Sequence, residues 1–426
     1  MSRRKISVAK RTDWARNLQP FLREARFMVR HFRSNKLVLS GGIIVIAMIA
    51  LALSGPYFVP GTATRHQIGA AFISPTFGSE GSLVTILPDG IYDSSGKIVN
   101  GSQVGYFEEL HLQIIVKDVT DASSSMLLRL QTSSNHMIWS EVAGTKLSIN
   151  STGTYELKAV TFAKYVRPIW TIDQGSFRVE VLGKPRTPVH LFGTDDFGRD
   201  LFSLVILAAR LDLSVAAFIV TIAVLIGIAL GSFAGFVGGK IDEVLMRITD
   251  IFLAFPALIL ALAVAAALSQ IKPETIGLKI SPEELKLYGL VFAIIIVDWP
   301  TYTRLLRGQV LSEKEKTYVE ALRALGISRR RIIFRHVMPN TIYPVLVYAT
   351  LDIGGVLLTF AALSFLGFGV SPLTPEWGKL VQAGEQYLLR APWIITFPGL
   401  AILITSLAFN LLGDGLRDVL DPRLRR

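Results

Sequence analysis

Two acidic residues, Asp298 and Asp352, lie inside long apolar stretches of this sequence. A charged side chain at the centre of a membrane-spanning helix costs about 2.5–3.5 kcal/mol on insertion scales, so it should face a helix bundle or a water-filled cavity. We therefore predict that these carboxylates line a translocation path and contact substrate. The alternative is a structural role, in which each carboxylate pairs with a neighbouring polar group or with a partner subunit.

Other chemistries find little support. The chain has no cysteine, which excludes disulfides, thiol catalysis and cysteine-ligated metals. The segment Gly238-Gly239-Lys240-Ile241 lacks the spacing and the hydroxyl of a phosphate-binding loop. No catalytic triad stands out, so we expect neither enzymatic activity nor a cofactor. The six histidines do not fall at metal-ligand spacing, which predicts no metal site; they are His31, His66, His111, His136, His190 and His336.

The composition is that of a membrane protein. Of the 426 residues, 51% are hydrophobic, and the mean hydropathy of +0.46 is too high for an ordinary soluble chain of this length. A helix that crosses the hydrocarbon core needs roughly 20 apolar residues. Six stretches qualify or nearly do, which predicts about six transmembrane helices: Leu37–Val59, Leu213–Phe236, Ile251–Leu268, Tyr288–Leu306, Ile342–Phe365 and Trp393–Leu412.

The charge distribution predicts the orientation of these helices. The net charge is +11, and the Lys and Arg residues lie mostly beside the apolar stretches, which favours a role in membrane topology over nucleic-acid binding. They are concentrated in a head (1–36), between the fourth and fifth stretches, and in a tail (414–426). The positive-inside rule then makes both termini cytoplasmic in a multi-pass protein of the plasma (inner) membrane, with the head against anionic lipid.

Residues 60–190 have a different character. Long apolar runs give way to short alternating segments such as 110–116, 125–130, 155–160 and 177–182, separated by turn signals. This pattern predicts a small antiparallel β domain, sandwich-like or barrel-like. It lies between the first helix (37–59) and the second, which begins a core (191–413) that contains the other five helices. The predicted topology makes it extracytoplasmic. Asn100 and Asn150 begin acceptor sequons, so both are candidates for N-glycosylation.

The segment 317–340 is predicted to form a cytoplasmic helix–turn–helix. The first helix covers Val319–Leu325 and ends at Gly326, and the second runs from Ser328, as N-cap, to Pro339. Ala321, Leu322 and Leu325 make an apolar face on the first helix. Such a face either docks on a protein partner or packs against the protein's own loops.

Glu320-Ala321, Gly326 and His336-x-x-Pro339-Asn340 resemble the coupling loop of ABC importer permeases. Further motifs resemble the C-type permease of dipeptide and oligopeptide transporters, in the same order along the chain. They are Phe192–Asp200, Asp250–Pro256, Trp299-Pro300-x-Tyr302-x-Arg304, Leu363–Gly369, Glu376-Trp377-Gly378 and Pro398–Pro422. The resemblance covers nearly all of the chain after residue 190, is weaker in the first helix, and does not extend to residues 60–190.

The resemblance implies a type I ABC importer fold and a set of partners. These are a second permease subunit, two ABC ATPase subunits and an extracytoplasmic substrate-binding protein. It also implies that Glu320, Ala321, Leu322, Leu325, Gly326 and Pro339 transmit ATP-driven motion to the helices. Three positions depart from the family pattern: Leu322 replaces an alanine, Phe360 a glutamate, and Asp298 a small neutral residue. We therefore add Phe360 to the candidate translocation path.

Other functions stay open at this point. The resemblance suggests di- or oligopeptides as substrates, but related transporters carry oligosaccharides or nickel chelates. A secondary transporter or channel would need no ATPase, but it should show internal repeats or a relay of titratable residues in its spans. A sensor or adhesion module would account for residues 60–190 but not for the coupling loop.

Overall fold

The computed structural model describes residues 35–59, 72–77, 81–121, 123–133, 136–186, 189–271, 279–371 and 373–420. Most of the predicted head and part of the predicted tail therefore lie outside the described residues. Contacts divide the chain into two units. One comprises residues 1–58, 205–382 and 398–426, and the other comprises residues 59–204 and 383–397.

Helices dominate the first unit. Five described helices are long and apolar enough to cross a membrane, and a sixth span is possible if one bent pair counts as a single crossing. This confirms the prediction of about six spans. The helices are α1 (Lys36–Phe58), α2 (Leu201–Val237), α3 (Gly239–Ala254), α4 (Ala257–Ser269), α5 (Pro282–Lys314), α6 (Thr317–Ala324), α7 (Arg329–Ile332), α8 (Met338–Leu363), α9 (Trp377–Gly384) and α10 (Trp393–Leu420).

The third span predicted over Ile251–Leu268 falls on the bent pair. Helices α3 and α4 meet at 91° across Phe255 and Pro256. Proline disfavours a helical conformation in the residue before it, and Phe255 is accordingly extended (φ −86°, ψ 142°). Helix α4 has 13 residues, which at 1.5 Å per residue gives about 20 Å. It is shorter than the hydrocarbon core of roughly 30 Å.

Helix α2 packs closely on α5 along the three glycines Gly227, Gly231 and Gly235. A Cβ atom on Gly231 would lie 2.6 Å from the Thr303 carbonyl oxygen, and one on Gly235 would lie 3.0 Å from the Val310 Cβ. Small residues let helix backbones approach each other in a membrane, where van der Waals contact drives association. These three glycines therefore form the contact face of α2 on α5.

The second unit contains an antiparallel β domain, as predicted. Its main sheet has the strand order β2-β9-β4-β8-β5-β6, with β3 beside β8 and β7 beside β5. The strands are β1 (Thr76–Phe77), β2 (Val84–Tyr92), β3 (Gly96–Lys97), β4 (Ser102–Val119), β5 (Ser125–Ser133), β6 (Ser140–Glu141), β7 (Leu147–Ile149), β8 (Gly153–Gln174), β9 (Phe177–Arg186) and β10 (Val189–His190). Its core is continuous and includes Phe107, Leu110, Ile114, Leu128 and Phe177.

The α2–α5 contact predicts the effect of one methyl group. We expect Gly231→Ala to lower stability by about 1–3 kcal/mol, because the added Cβ overpacks against rigid backbone. The measurement is the thermal unfolding midpoint of the purified protein in detergent. Gly308→Ala on α5 is the control, since a Cβ there meets no described atom within 4 Å. Equal midpoints for the two variants would contradict the close-packing assignment.

Candidate coupling and translocation sites

The predicted coupling helix is present as α6, one or two residues from its predicted bounds. It ends as predicted at Gly326, whose φ of +73° is a left-handed conformation that favours glycine. The Gly326 N–H donates to the Arg323 carbonyl oxygen at 2.9 Å, and the Ile327 N–H donates to that of Leu322 at 3.2 Å. These bonds close the helix and turn the chain sharply.

The apolar side chains of this loop are divided between the interior and the surface. Val319 is fully buried, whereas the side chain of Leu325 is 76% exposed. Glu320 and Ala321 are also exposed, and Leu322 is half-buried. Packing against the protein's own described loops therefore does not cover this face. The arrangement leaves an apolar surface of the kind that a partner protein would cover.

The second predicted helix of this loop, Ser328–Pro339, was wrong at its C-terminal end. Helix α7 is followed by a π turn over Ile333–Val337 and then directly by α8, so the helix runs on through the fifth span. Proline is tolerated in the first turn of a helix, where its missing N–H costs little, and Pro339 occupies that place in α8. Ser328 is at the N-cap position but makes no side-chain capping bond within the described chain.

A buried carboxylate, Glu313, ties this loop to the end of α5. It is 7% exposed and accepts hydrogen bonds from Tyr318 Oη at 2.8 Å and Asn340 Nδ2 at 3.2 Å. It also pairs with Lys316 Nζ at 2.6 Å. One side chain thus joins the fourth span, the coupling helix and the start of α8. Sequence reasoning missed Glu313, because its partners become neighbours only through the folded loop.

The two intramembrane carboxylates come together in the structure. Asp298 on α5 and Asp352 on α8 are close enough for their charges to interact. Tyr302 Oη donates to Asp352 Oδ2 at 2.7 Å, and the Tyr302 ring stands edge-on to that of Tyr348. The pairing alternative therefore describes Asp352. In contrast, Asp298 Oδ2 has no hydrogen-bond partner among the described residues.

Phe360, the third candidate on the translocation path, is fully buried within this chain. Its side chain does not reach a water-accessible surface of the described residues. The phenylalanine that departs from the family pattern therefore fills space between the helices of this chain.

The segment Glu376-Trp377-Gly378 holds several elements together. Trp377 is fully buried; its Nε1 donates to the Val205 carbonyl oxygen at 2.9 Å and its backbone N–H to Asp212 Oδ2 at 3.0 Å. Glu376 accepts from the backbone N–H groups of Gly378 and Lys379, both at 2.7 Å, and from Ser364. Burial raises the pKa of Glu376 to about 7. This motif is therefore architectural.

Comparison with known families matches two parts of the chain. Residues 25–75 match the N-terminal TM domain of oligopeptide transport permease C. Residues 227–426 match the binding-protein-dependent transport system inner membrane component. The β domain lies between these two matches.

Curated proteins give long matches at substantial identity. A dipeptide transport system permease protein from Alkalihalophilus pseudofirmus is 43% identical over 55% of this chain and 73% of its own length. A probable D,D-dipeptide transport system permease protein from Escherichia coli is 42% identical over 56% and 75%. A glutathione transport system permease protein from Pectobacterium atrosepticum is 36% identical over 64% and 86%.

The contact between Tyr302 and Asp352 predicts different results for two substitutions at residue 352. Asp352→Ala leaves the buried Tyr302 hydroxyl without its acceptor, and an unsatisfied buried polar group costs about 1–3 kcal/mol. We expect a lower thermal unfolding midpoint in detergent for this variant. Asp352→Asn, the control, retains an acceptor oxygen and should unfold close to the unmodified protein. If both variants unfold at the same temperature, the Tyr302 hydrogen bond does not contribute as described.

Proposed function

We propose that this chain, which belongs to the C-type permease family of dipeptide and oligopeptide ABC importers, couples ATP hydrolysis on partner subunits to the import of small peptides. Membership in the family makes it a multi-pass membrane permease of an ABC importer. The proposal adds the coupling residues, the partners and the substrate class. The observation that supports it is the exposed apolar side chain of Leu325 at the end of α6. Tyr318 of this short helix is hydrogen-bonded to Glu313 on α5 and to Asn340 on α8.

The coupling mechanism follows from the contacts around Glu313. An ATPase subunit that grips Glu320, Ala321, Leu322 and Leu325 would move α6 when its two copies close on ATP. Glu313 would pass that movement to α5 and α8, because Tyr318, Asn340 and Lys316 all bind its carboxylate. Gly326 and Pro339 would fix the geometry of the loop. The role of the chain is therefore mechanical, and hydrolysis takes place on the partners.

The positive-inside rule supports a cytoplasmic position for the coupling loop, since Arg329, Arg330 and Arg331 are exposed beside it. Both termini would then be cytoplasmic and the β domain extracytoplasmic, on the side of the substrate-binding protein. A second permease subunit would complete the translocation path. Asn100 and Asn150 are both exposed, which is compatible with the proposed glycosylation.

A peptide substrate is supported by the named relatives, which are permeases of dipeptide, D,D-dipeptide and glutathione transport systems. Asp298 is the better candidate for contact with such a substrate. Its free carboxylate oxygen could accept a hydrogen bond from a peptide amide or ammonium group, whereas Asp352 is already bound to Tyr302. Selectivity beyond this class would rest largely on the binding protein.

Leu325 gives the sharpest test of coupling. We expect Leu325→Glu to abolish ATP-driven uptake. It should also abolish the recovery of P-loop ATPases with the tagged protein from native membranes, because burying a carboxylate against an apolar surface of the ATPase is costly. Leu325→Met, the control, keeps an apolar side chain of similar volume and should preserve both. Full ATPase recovery and uptake by the Leu325→Glu variant would overturn the proposed docking face.

The free oxygen of Asp298 predicts a transport defect without a folding defect. We expect Asp298→Asn to lower peptide uptake at least several-fold in proteoliposomes that contain the complete transporter, while the thermal unfolding midpoint stays unchanged. Asp352→Asn serves as the control because its acceptor role is already satisfied by Tyr302. Unchanged uptake by the Asp298→Asn variant would remove this residue from the translocation path.

A further inference from the structure

The C-terminal part of α5 contacts several neighbouring elements through its polar side chains. Glu313 binds α6 and the start of α8, as described above. The next residue, Lys314, donates from Nζ to the Gly235 carbonyl oxygen of α2 at 3.0 Å. Arg304 and Arg307 both bind carboxylates on α3. The coupling loop therefore follows directly on a stretch of helix whose polar contacts lead to α2, α3 and α8.

Arg307 of α5 and Asp242 of α3 form a bidentate ion pair. Arg307 Nη2 lies 2.6 Å from Asp242 Oδ2, and Arg307 Nε donates to Asp242 Oδ1. The two side chains are only 30% and 13% exposed, so salt and water screen their charges less than those of a surface pair. A planar guanidinium that binds both carboxylate oxygens also fixes the relative orientation of the two groups. The pair therefore holds α3 at a defined place on α5.

Two further contacts extend the α3–α5 interface along both helices. Arg304 binds Asp250, and because both of these side chains are more than half exposed, their ion pair contributes less than that of Arg307. The Phe252 ring stands edge-on to the Trp299 ring, with 5.6 Å between the ring centres. Positions 242, 250 and 252 of α3 thus meet positions 307, 304 and 299 of α5. Helix α3 therefore lies antiparallel along α5.

Helix α3 has a break in the helical backbone at each end. At its start, Gly238 and Gly239 have φ angles of +70° and +62°, and a Cβ atom on either would meet no described atom within 4 Å. At its end, the extended residue Phe255 begins the 91° bend into α4. Thr249 is the only residue of α3 that is buried within the described chain. The position of α3 therefore depends mainly on its lateral contacts with α5.

We propose that Asp242 and Arg307 are positioning residues for transport, because their ion pair makes α3 move together with α5. This inference rests on the proposed coupling function, in which α6 displaces α5 through Glu313. Arg307 would then pass the displacement on to α3 and to the bend that follows it. Neither residue contacts ATP, which binds to the partner subunits. Loss of the pair should therefore lower import while ATP hydrolysis continues.

The test measures the number of peptides imported per ATP hydrolysed by the complete transporter in proteoliposomes. We expect Asp242→Asn and Arg307→Gln each to lower this ratio several-fold, because each variant removes one charge of the pair. The exchange of both residues, Asp242→Arg with Arg307→Asp, restores an ion pair of reversed polarity and should recover most of the ratio. Arg307→Lys keeps the charge but lacks the planar fork, so we expect an intermediate ratio.

The neighbouring residue Glu243 supplies a matched control. It pairs with Arg247 of the same helix at 2.9 Å, and both side chains are exposed, so Glu243→Gln should leave the ratio unchanged. An equal loss in this variant, or no recovery when Asp242 and Arg307 are exchanged, would overturn the proposal. A purely structural role predicts a lower thermal unfolding midpoint with an unchanged ratio per assembled transporter, and that result would also overturn it.

A second measurement separates this inference from the proposed function. Recovery of P-loop ATPases with the tagged protein reports docking on the coupling loop, to which Asp242 does not belong. We expect the Asp242→Asn variant to recover the ATPases as fully as the unmodified protein does. If the unmodified protein recovers none, the proposed function fails. If both proteins recover the ATPases and import the same number of peptides per ATP, only the role of Asp242 and Arg307 fails.

Discussion

A polypeptide in hydrocarbon has to satisfy every backbone N–H and C=O group within its own fold. This constraint accounts for the long helices of the first unit and for the way their polar side chains are arranged. Asp242 on α3 binds Arg307 on α5, with Arg307 Nη2 2.6 Å from Asp242 Oδ2. Asp352 binds Tyr302. The polar groups thus join helices to each other, while the glycines of α2 bring the backbones close enough for contact.

The sequence predicted what depends on local pattern. Hydropathy predicted the spans, and Gly326 predicted the end of the coupling helix. Alternation predicted parts of β4, β5, β8 and β9 but missed β2, whose nine residues make it as long as β5. It failed where the outcome depends on residues far apart in the chain. Asp298 and Asp352 looked isolated because 54 positions separate them, and only the packing of α5 on α8 brings them together. Asp212, which is 1% exposed, likewise accepts a hydrogen bond from the Trp377 backbone, 165 positions away.

Prolines were the other source of error, since their effect depends on context. Pro256 breaks a helix by 91° because Phe255 before it is extended. Pro339 does not break the helix, because it falls in the first turn of a helical segment that directly follows a π turn. The sequence analysis placed Pro256 inside one span, Ile251–Leu268, and placed Pro339 at the end of a helix, Ser328–Pro339.

The helical run from Arg329 to Leu363 has a mechanical consequence. Its three segments of 4, 5 and 26 residues, the middle one a π turn, correspond to about 50 Å at 1.5 Å per residue, which exceeds the hydrocarbon core of roughly 30 Å. A straight rod that tilts about its midpoint moves its two ends in opposite directions by equal amounts. If the proposed coupling moves Arg329 sideways, the same tilt would move Leu363 in the opposite direction.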